Sequence, residues 1–169
     1  MATIRPLSLQ DVAAVYAAVD GSRPEFAKWM VWYQPSYSPE DAAEWVRRSC
    51  AQHEAQSDYH FAICDDEGDL IGAVSLENVD TRSGTAMMGY WVATSATGRG
   101  AATTAIGQVL AWASGHTGIR CVWALIATAN GASRRVAEAN GLRLAPKSSQ
   151  PANPEQLRYE VSLPPGSPA

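Results

Sequence analysis

A short glycine-rich turn near the middle of this 169-residue sequence constrains its fold most. Gly98 and Gly100 flank Arg99, after the apolar segment MMGYWVA and before a helical pattern that begins near Ala101. A helix that starts after a strand and a turn presents unpaired N–H groups and a positive dipole end there. Glycine lets a ligand approach the backbone closely. The stretch predicts either a tight turn alone or a pyrophosphate site on residues 98–102, with Arg99 adding a charge-assisted contact.

Composition narrows the classes of protein that this chain can belong to. It is 46% hydrophobic and 18% charged, with a net charge of −4, so we expect a globular protein that does not bind nucleic acid. The first residues lack the apolar core of a signal peptide, and no apolar run is long enough to span a membrane. Cys50, Cys64 and Cys121 are widely spaced without a CxxC pair, which favours reduced thiols in a cytoplasmic protein without a metal site.

Helix-capping residues and the alternation of apolar and polar residues predict the order of helices and strands. Ser8 with Asp11 resembles a capping box, Ser38-Pro39 begins a second helix, and Gly115 and Gly141 each close a later helix. The predicted order is strand, two helices, three strands, helix, strand, helix, two strands. This is an α/β (α+β) domain over residues 1–163, with a mixed, mostly antiparallel sheet of about seven strands, about four helices and a disordered tail at 164–169. The strand–helix–strand from Thr85 to Thr128 is expected to be a right-handed crossover that places two strands in parallel.

Two common phosphate loops do not fit the turn. The dinucleotide fingerprint needs a third glycine, and the Walker loop needs a Lys followed by Ser or Thr; both are absent here.

Two longer stretches resemble a known family. GYWVATSATGRGAATTAI resembles motif A of the GNAT superfamily of acyl-CoA N-acyltransferases, in which Gly100 and Ala102 match the loop R/Q-x-x-G-x-G/A and Thr97 departs from it. ATANGASRRVAEANGLRL resembles the later family segment, with matches at Asn130, Ser133, Val136, Gly141 and Leu142. Segments farther upstream resemble the Rim-type branch, which includes ribosomal-protein alanine N-acetyltransferases, so the likeness extends to about residue 163.

The resemblance implies a site for acetyl-CoA in a gap between two splayed parallel strands. The pantetheine would pair with the backbone of the strand before the turn, and the pyrophosphate would lie on the turn. Asn130 would hydrogen-bond the pantetheine, although its place at a helix start also suits a cap. Arg134 or Arg135 would reach the phosphates. The residues expected to bind the donor are Tyr90, Trp91, Val92, Gly98, Arg99, Gly100, Ala101, Ala102, Asn130, Ser133 and Arg135.

Catalysis in this family needs a base for the amine and an acid for the departing thiolate. Ser133 would lie near the thioester sulfur as the acid. Rim-type sequences often carry an acid where this chain has Met87, so we expect another residue to serve as the base. Glu77, on the neighbouring strand, is the candidate for base or substrate contact; His60, Glu155 and a water chain are the alternatives.

Aromatic residues are concentrated in the segment that covers the acceptor side in the resembled family. Trp29, Trp32 and Tyr33 are expected to contact the acceptor, and core packing is the alternative for one or two of them. The leading hypothesis is an N-acyltransferase that moves acetyl from acetyl-CoA to a primary amine, such as a protein N-terminus or a small amine. A non-catalytic acyl-CoA-binding or regulatory module and a plain interaction domain are the competing hypotheses. A homodimer is compatible with the resemblance.

Overall fold

The computed structural model describes residues 1–115 and 118–164 and contains one seven-stranded sheet. The strands are β1 (Thr3–Pro6), β2 (Tyr59–Cys64), β3 (Leu70–Asp80), β4 (Thr85–Val92), β5 (Cys121–Ala127), β6 (Arg143–Leu144) and β7 (Gln156–Ser162). The helices are α1 (Val12–Asp20), α2 (Arg23–Trp29), α3 (Pro39–Glu54), α4 (Ala101–Ser114) and α5 (Gly131–Ala139). Short 3-10 turns lie at Leu9–Asp11, Thr94–Ala96 and Lys147–Ser149.

The strand order across the sheet is β1-β2-β3-β4-β5-β7-β6. Among the strands that the structure describes, only β4 and β5 run parallel, and α4 makes the crossover between them. This confirms the predicted mixed, mostly antiparallel sheet with one parallel pair.

The capping box predicted at Ser8 is present, and the helix start predicted at Ser38 also forms one. Ser8 and Asp11 cap the turn that leads into α1, and Ser38 and Asp41 do the same for α3, because each hydroxyl and carboxylate satisfies a free N–H group. Gly115 ends α4 and Asn130 begins α5, as expected.

The structure refines two details of the predicted order. The described residues contain five α-helices where about four were expected, since residues 23–29 close into a helix with Pro24 in its first turn. The first of the last two predicted strands, β6, has only two residues, Arg143–Leu144. In the predicted tail, Pro164 is outside any helix or strand, and residues 165–169 lie outside the described residues.

The helices cover opposite faces of the sheet. On one face α4 and α5 bury a core with β2 to β5, which includes Ile106, Val109, Val74 and Leu76. On the other face α1, α2 and α3 pack over β2 to β4, and their buried residues include Val15, Phe26 and Val46. Within the described residues, no helix has the length and apolar character needed to cross a membrane.

Candidate active site

The glycine turn opens onto a cavity of about 540 Å³ at the start of α4. Gly98 and Gly100 have φ angles of 75° and 78°, a left-handed conformation that other residues rarely adopt, and a Cβ on either would meet open space. No side chain of the described residues caps α4, so the N–H groups of its first turn stay available to a ligand. The turn therefore has the features of an anion cradle.

The parallel strands separate beside this turn. Hydrogen-bonded pairing of β4 with β5 covers Thr85–Met87 and ends at Met87 opposite Trp123. On its other side, β4 stays paired with β3 up to Val92. The stretch from Met88 to Val92 therefore faces a gap, which is the geometry expected for a pantetheine arm that pairs with strand backbone.

Asn130 and Ser133 bring the start of α5 to the same gap. The Asn130 side-chain oxygen accepts a hydrogen bond from the Ser133 N–H at 3.0 Å, so the predicted cap is present and the Asn130 amide nitrogen stays free to donate. The Ser133 hydroxyl lies 2.6 Å from the hydroxyl of Tyr90 on β4. Burial raises the pKa of Tyr90, against the opposing effect of this hydrogen bond, so its phenol keeps its proton at neutral pH.

A second cavity, of about 850 Å³, lies on the face covered by α1 to α3. It meets the first cavity at a junction, where six residues line both: Trp29, Met30, Tyr90, Trp91, Asn130 and Ser133. Four carboxylates line the second cavity against one guanidinium, and these charged residues are Asp41, Glu44, Asp58, Glu77 and Arg48. The second cavity is thus suited to a cationic or amine-bearing molecule.

A hydrogen bond fixes the Glu77 carboxylate in the lining of the second cavity. Ser75 Oγ donates to Glu77 Oε1 at 2.7 Å, and a Cβ on Gly89 would lie 3.7 Å from the same carboxylate oxygen. Gly89 therefore leaves room beside the carboxylate, one residue from Tyr90. His60 also lines this cavity but is 4% exposed, and burial lowers its pKa, so its ring is neutral at neutral pH.

The structure brings most of the predicted donor-site residues to the first cavity. Its lining includes Tyr90, Trp91, Val92, Gly98, Gly100, Ala101, Ala102, Asn130, Ser133 and Arg135. Arg99 is exposed and lies outside this lining. Arg134 is outside it too, because its Nε donates to the Tyr159 hydroxyl at 3.1 Å. The Trp91 side chain is buried against Phe26, with ring centroids 5.6 Å apart.

The predicted acceptor residues divide into two groups. Trp29, Trp32 and Glu77 line the second cavity. Tyr33 does not; its ring packs on Phe26 and its hydroxyl accepts a hydrogen bond from Arg23 at 3.2 Å. A role for Ser75 was not predicted from the sequence. Ser75 and Glu77 are two positions apart on one strand and therefore share a face, and this spacing was the available signal. A role for the Tyr90 hydroxyl was also not predicted.

The comparisons with known proteins agree with this geometry. The sequence model of the acetyltransferase (GNAT) domain family matches residues 2–143, and the chain belongs to this family. The predicted resemblance and the predicted enzyme class, an N-acetyltransferase, are thereby confirmed. No curated protein matches the chain in sequence.

Solved structures with the same fold include three informative ones. The microcin C7 self-immunity acetyltransferase MccE, in complex with acetyl-CoA and AMP, is 20% identical, with a TM-score of 0.84 over 96% of this chain and 92% of that one. RimL, a ribosomal L7/L12 α-N-protein acetyltransferase in complex with coenzyme A, is 19% identical, with a TM-score of 0.85 over 96% and 94%. Spermidine N-acetyltransferase from Vibrio cholerae, in complex with CoA and spermine, is 17% identical, with a TM-score of 0.76 over 95% of each chain. At these identities the likeness shows the fold.

Proposed function

We propose that this protein transfers an acetyl group from acetyl-CoA to a primary amine by direct attack in a ternary complex. The observation that carries the proposal is the junction of the two cavities at Tyr90 and Ser133, in the gap between β4 and β5. One cavity has an anion cradle at its glycine turn, and the other has an excess of carboxylates. A thioester and an amine that enter from opposite faces would meet at this junction, where proximity lowers the barrier to reaction.

The donor would lie in the cavity of about 540 Å³. Its pyrophosphate would accept hydrogen bonds from the free N–H groups after Gly98, and Arg135 would add a positive charge at the cavity wall. The pantetheine would lie along β4 from Tyr90 to Val92. Complexes of structural neighbours with acetyl-CoA or CoA support this choice of donor.

The acceptor would occupy the cavity of about 850 Å³. Its carboxylates favour a protein N-terminus or a small amine, the two kinds of acceptor that the names of structural neighbours also mention. Glu77 is the residue that we assign to remove the proton from the attacking amine, because Ser75 fixes its carboxylate beside the junction. Ser133 Oγ is the acid that we assign to the departing thiolate.

Calorimetric titration with acetyl-CoA, free CoA and succinyl-CoA tests the donor site, and thiol release in the presence of an amine panel tests transfer. The panel should include spermidine and peptides with N-terminal Ala or Ser. We expect low-micromolar binding of acetyl-CoA and thiol release with at least one amine. Binding without transfer to any amine would favour the non-catalytic acyl-CoA-binding module, and no binding at millimolar donor would refute both.

A further inference from the structure

The hydroxyl groups of Tyr90 and Ser133 form a close pair that joins a strand to a helix. Tyr90 belongs to β4 and Ser133 to α5, 43 positions later, yet their oxygens are 2.6 Å apart, at the short end for O–H···O hydrogen bonds. Both residues line both cavities, so the pair lies where donor and acceptor would meet.

The direction of the hydrogen bond follows from acidity. A phenol ionises near pH 10, whereas an aliphatic hydroxyl is a far weaker acid and a better acceptor. Tyr90 is therefore the donor and Ser133 Oγ the acceptor. The single hydrogen of Ser133 is then free to point at another group. Because Asn130 holds the backbone of Ser133, the Tyr90 contact is what restrains the remaining rotation of its hydroxyl.

We propose that Tyr90 is a positioning residue that acts through Ser133, supplying the proton that Ser133 passes to the leaving sulfur of the acyl donor. This inference rests on the proposed function. As the C–S bond breaks, its electron pair goes to sulfur, sulfur takes the Ser133 proton, and Ser133 Oγ takes the Tyr90 proton. Solvent returns a proton to Tyr90, while Glu77 passes the proton of the amine to solvent, so charge and protons balance. Neighbouring hydrogen bonds in such a chain polarise and strengthen one another.

The relay explains how a serine can serve as the acid here. Ser133 alone would have to become an alkoxide in a partly buried site, which is unfavourable. With Tyr90 behind it, the negative charge moves to a phenolate. Burial, which raises the pKa of Tyr90, keeps the phenol protonated at neutral pH before the step.

A double-mutant cycle tests the proposal: Tyr90→Phe, Ser133→Ala and the double variant, with kcat and the acetyl-CoA dissociation constant measured for each. We expect kcat to fall about 100-fold in each single variant, with the dissociation constant within about twofold of the wild type. The double variant should be no slower than Ser133→Ala, because Tyr90 acts only through Ser133.

Tyr159→Phe is the matched control. Its hydroxyl also bonds to α5, accepting from Arg134 and donating to Glu138, and both partners are residues other than Ser133. Loss of the Tyr159 hydroxyl should leave kcat within about twofold of the wild-type value. Full activity of Tyr90→Phe, or additive losses in the double variant, would overturn the relay while the proposed function stands. A wild-type protein that binds acetyl-CoA without acetylating any amine would overturn both.

Discussion

Glu77 lies directly opposite Met87 in the antiparallel pair of β3 and β4. Rim-type sequences often carry an acid at the position of Met87, and directly opposed side chains on neighbouring strands share a face with Cβ atoms about 4.5–5.5 Å apart. A carboxylate on either residue therefore projects over the same part of the sheet. The Ser75 hydroxyl holds the Glu77 carboxylate toward Gly89. The proposed base is thus one strand away from the position where Rim-type sequences often carry an acid, but its carboxylate faces the same part of the sheet.

Glu77→Gln should lower kcat about 10²- to 10⁴-fold, because glutamine keeps the shape but cannot accept the proton of the amine. The acetyl-CoA dissociation constant should stay within about twofold, since Glu77 lines only the acceptor cavity. Steady-state kinetics and calorimetry measure the two quantities separately.

Two further variants make this prediction specific. Glu155→Gln changes the exposed acid beyond the last helix and should leave kcat unchanged. Met87→Glu in the Glu77→Gln background should restore part of the lost rate from across the strand pair. Loss of activity in Glu155→Gln with retention in Glu77→Gln would assign the base to Glu155.

Gly100→Glu should raise the acetyl-CoA dissociation constant at least about 100-fold. The new carboxylate would stand at the anion cradle and repel phosphate, and φ at this residue is 78°, which strains any side chain. Calorimetry measures the change.

Gly68→Glu is the matched control for Gly100→Glu. Gly68 also has a positive φ, 90°, with open space around it, in the turn between β2 and β3. Its variant should show a similar loss of thermal stability with donor affinity unchanged. Equal donor affinity of the wild type and Gly100→Glu would show that the cradle holds no phosphate.

Arg135→Ala should weaken acetyl-CoA binding about tenfold, the effect of one lost charge-assisted hydrogen bond. Arg135 lines the donor cavity, whereas its neighbour Arg134 is bonded to the Tyr159 hydroxyl outside the lining. Arg134→Ala should therefore leave the dissociation constant within about twofold. The reverse ranking in calorimetry would place Arg134 at the phosphates.

The sequence revealed the sheet and the donor side of the site because these depend on local signals. Glycines at 98 and 100, the helix-start signals at Ser8 and Ser38 and strand alternation each act over a few residues. The pairing of Glu77 with Met87 could not be read in this way. Between Asp80 paired with Thr85 and Glu77 paired with Met87, β3 contains one extra residue. Regular pairing from the turn would set Glu77 against Met88, and one bulge changes that register.

The acceptor side was less predictable for a related reason. Trp32 and Tyr33 are adjacent, similar in type and both in edge contact with Phe26, yet Trp32 lines the cavity and Tyr33 does not. Which neighbour faces the cavity depends on how the residues after α2 pack around Phe26. That is tertiary packing, and no repeat or capping signal in the segment encodes it.

Asp11→Ala should lower the free energy of unfolding by about 1–3 kcal/mol near neutral pH. The buried Asp11 carboxylate accepts two hydrogen bonds from the Arg5 guanidinium, at 2.7 and 2.8 Å, and one from the Ser8 N–H. The exposed ion pair of Arg23 with Asp20 gives the contrast, because Asp20→Ala should cost no more than about 1 kcal/mol.

The effect of Asp11 on stability should depend on pH in a defined direction. The Arg5 hydrogen bonds hold the pKa of Asp11 below its ordinary value of 3.8. A carboxyl whose pKa is lower in the folded state stabilises the protein fully above the unfolded value. Its contribution is lost as pH falls through the folded value. Urea unfolding of the wild type and Asp11→Ala should therefore show a constant difference above about pH 5 that shrinks below about pH 4. A difference that stays constant to pH 2 would show that the Asp11 contribution is packing rather than charge.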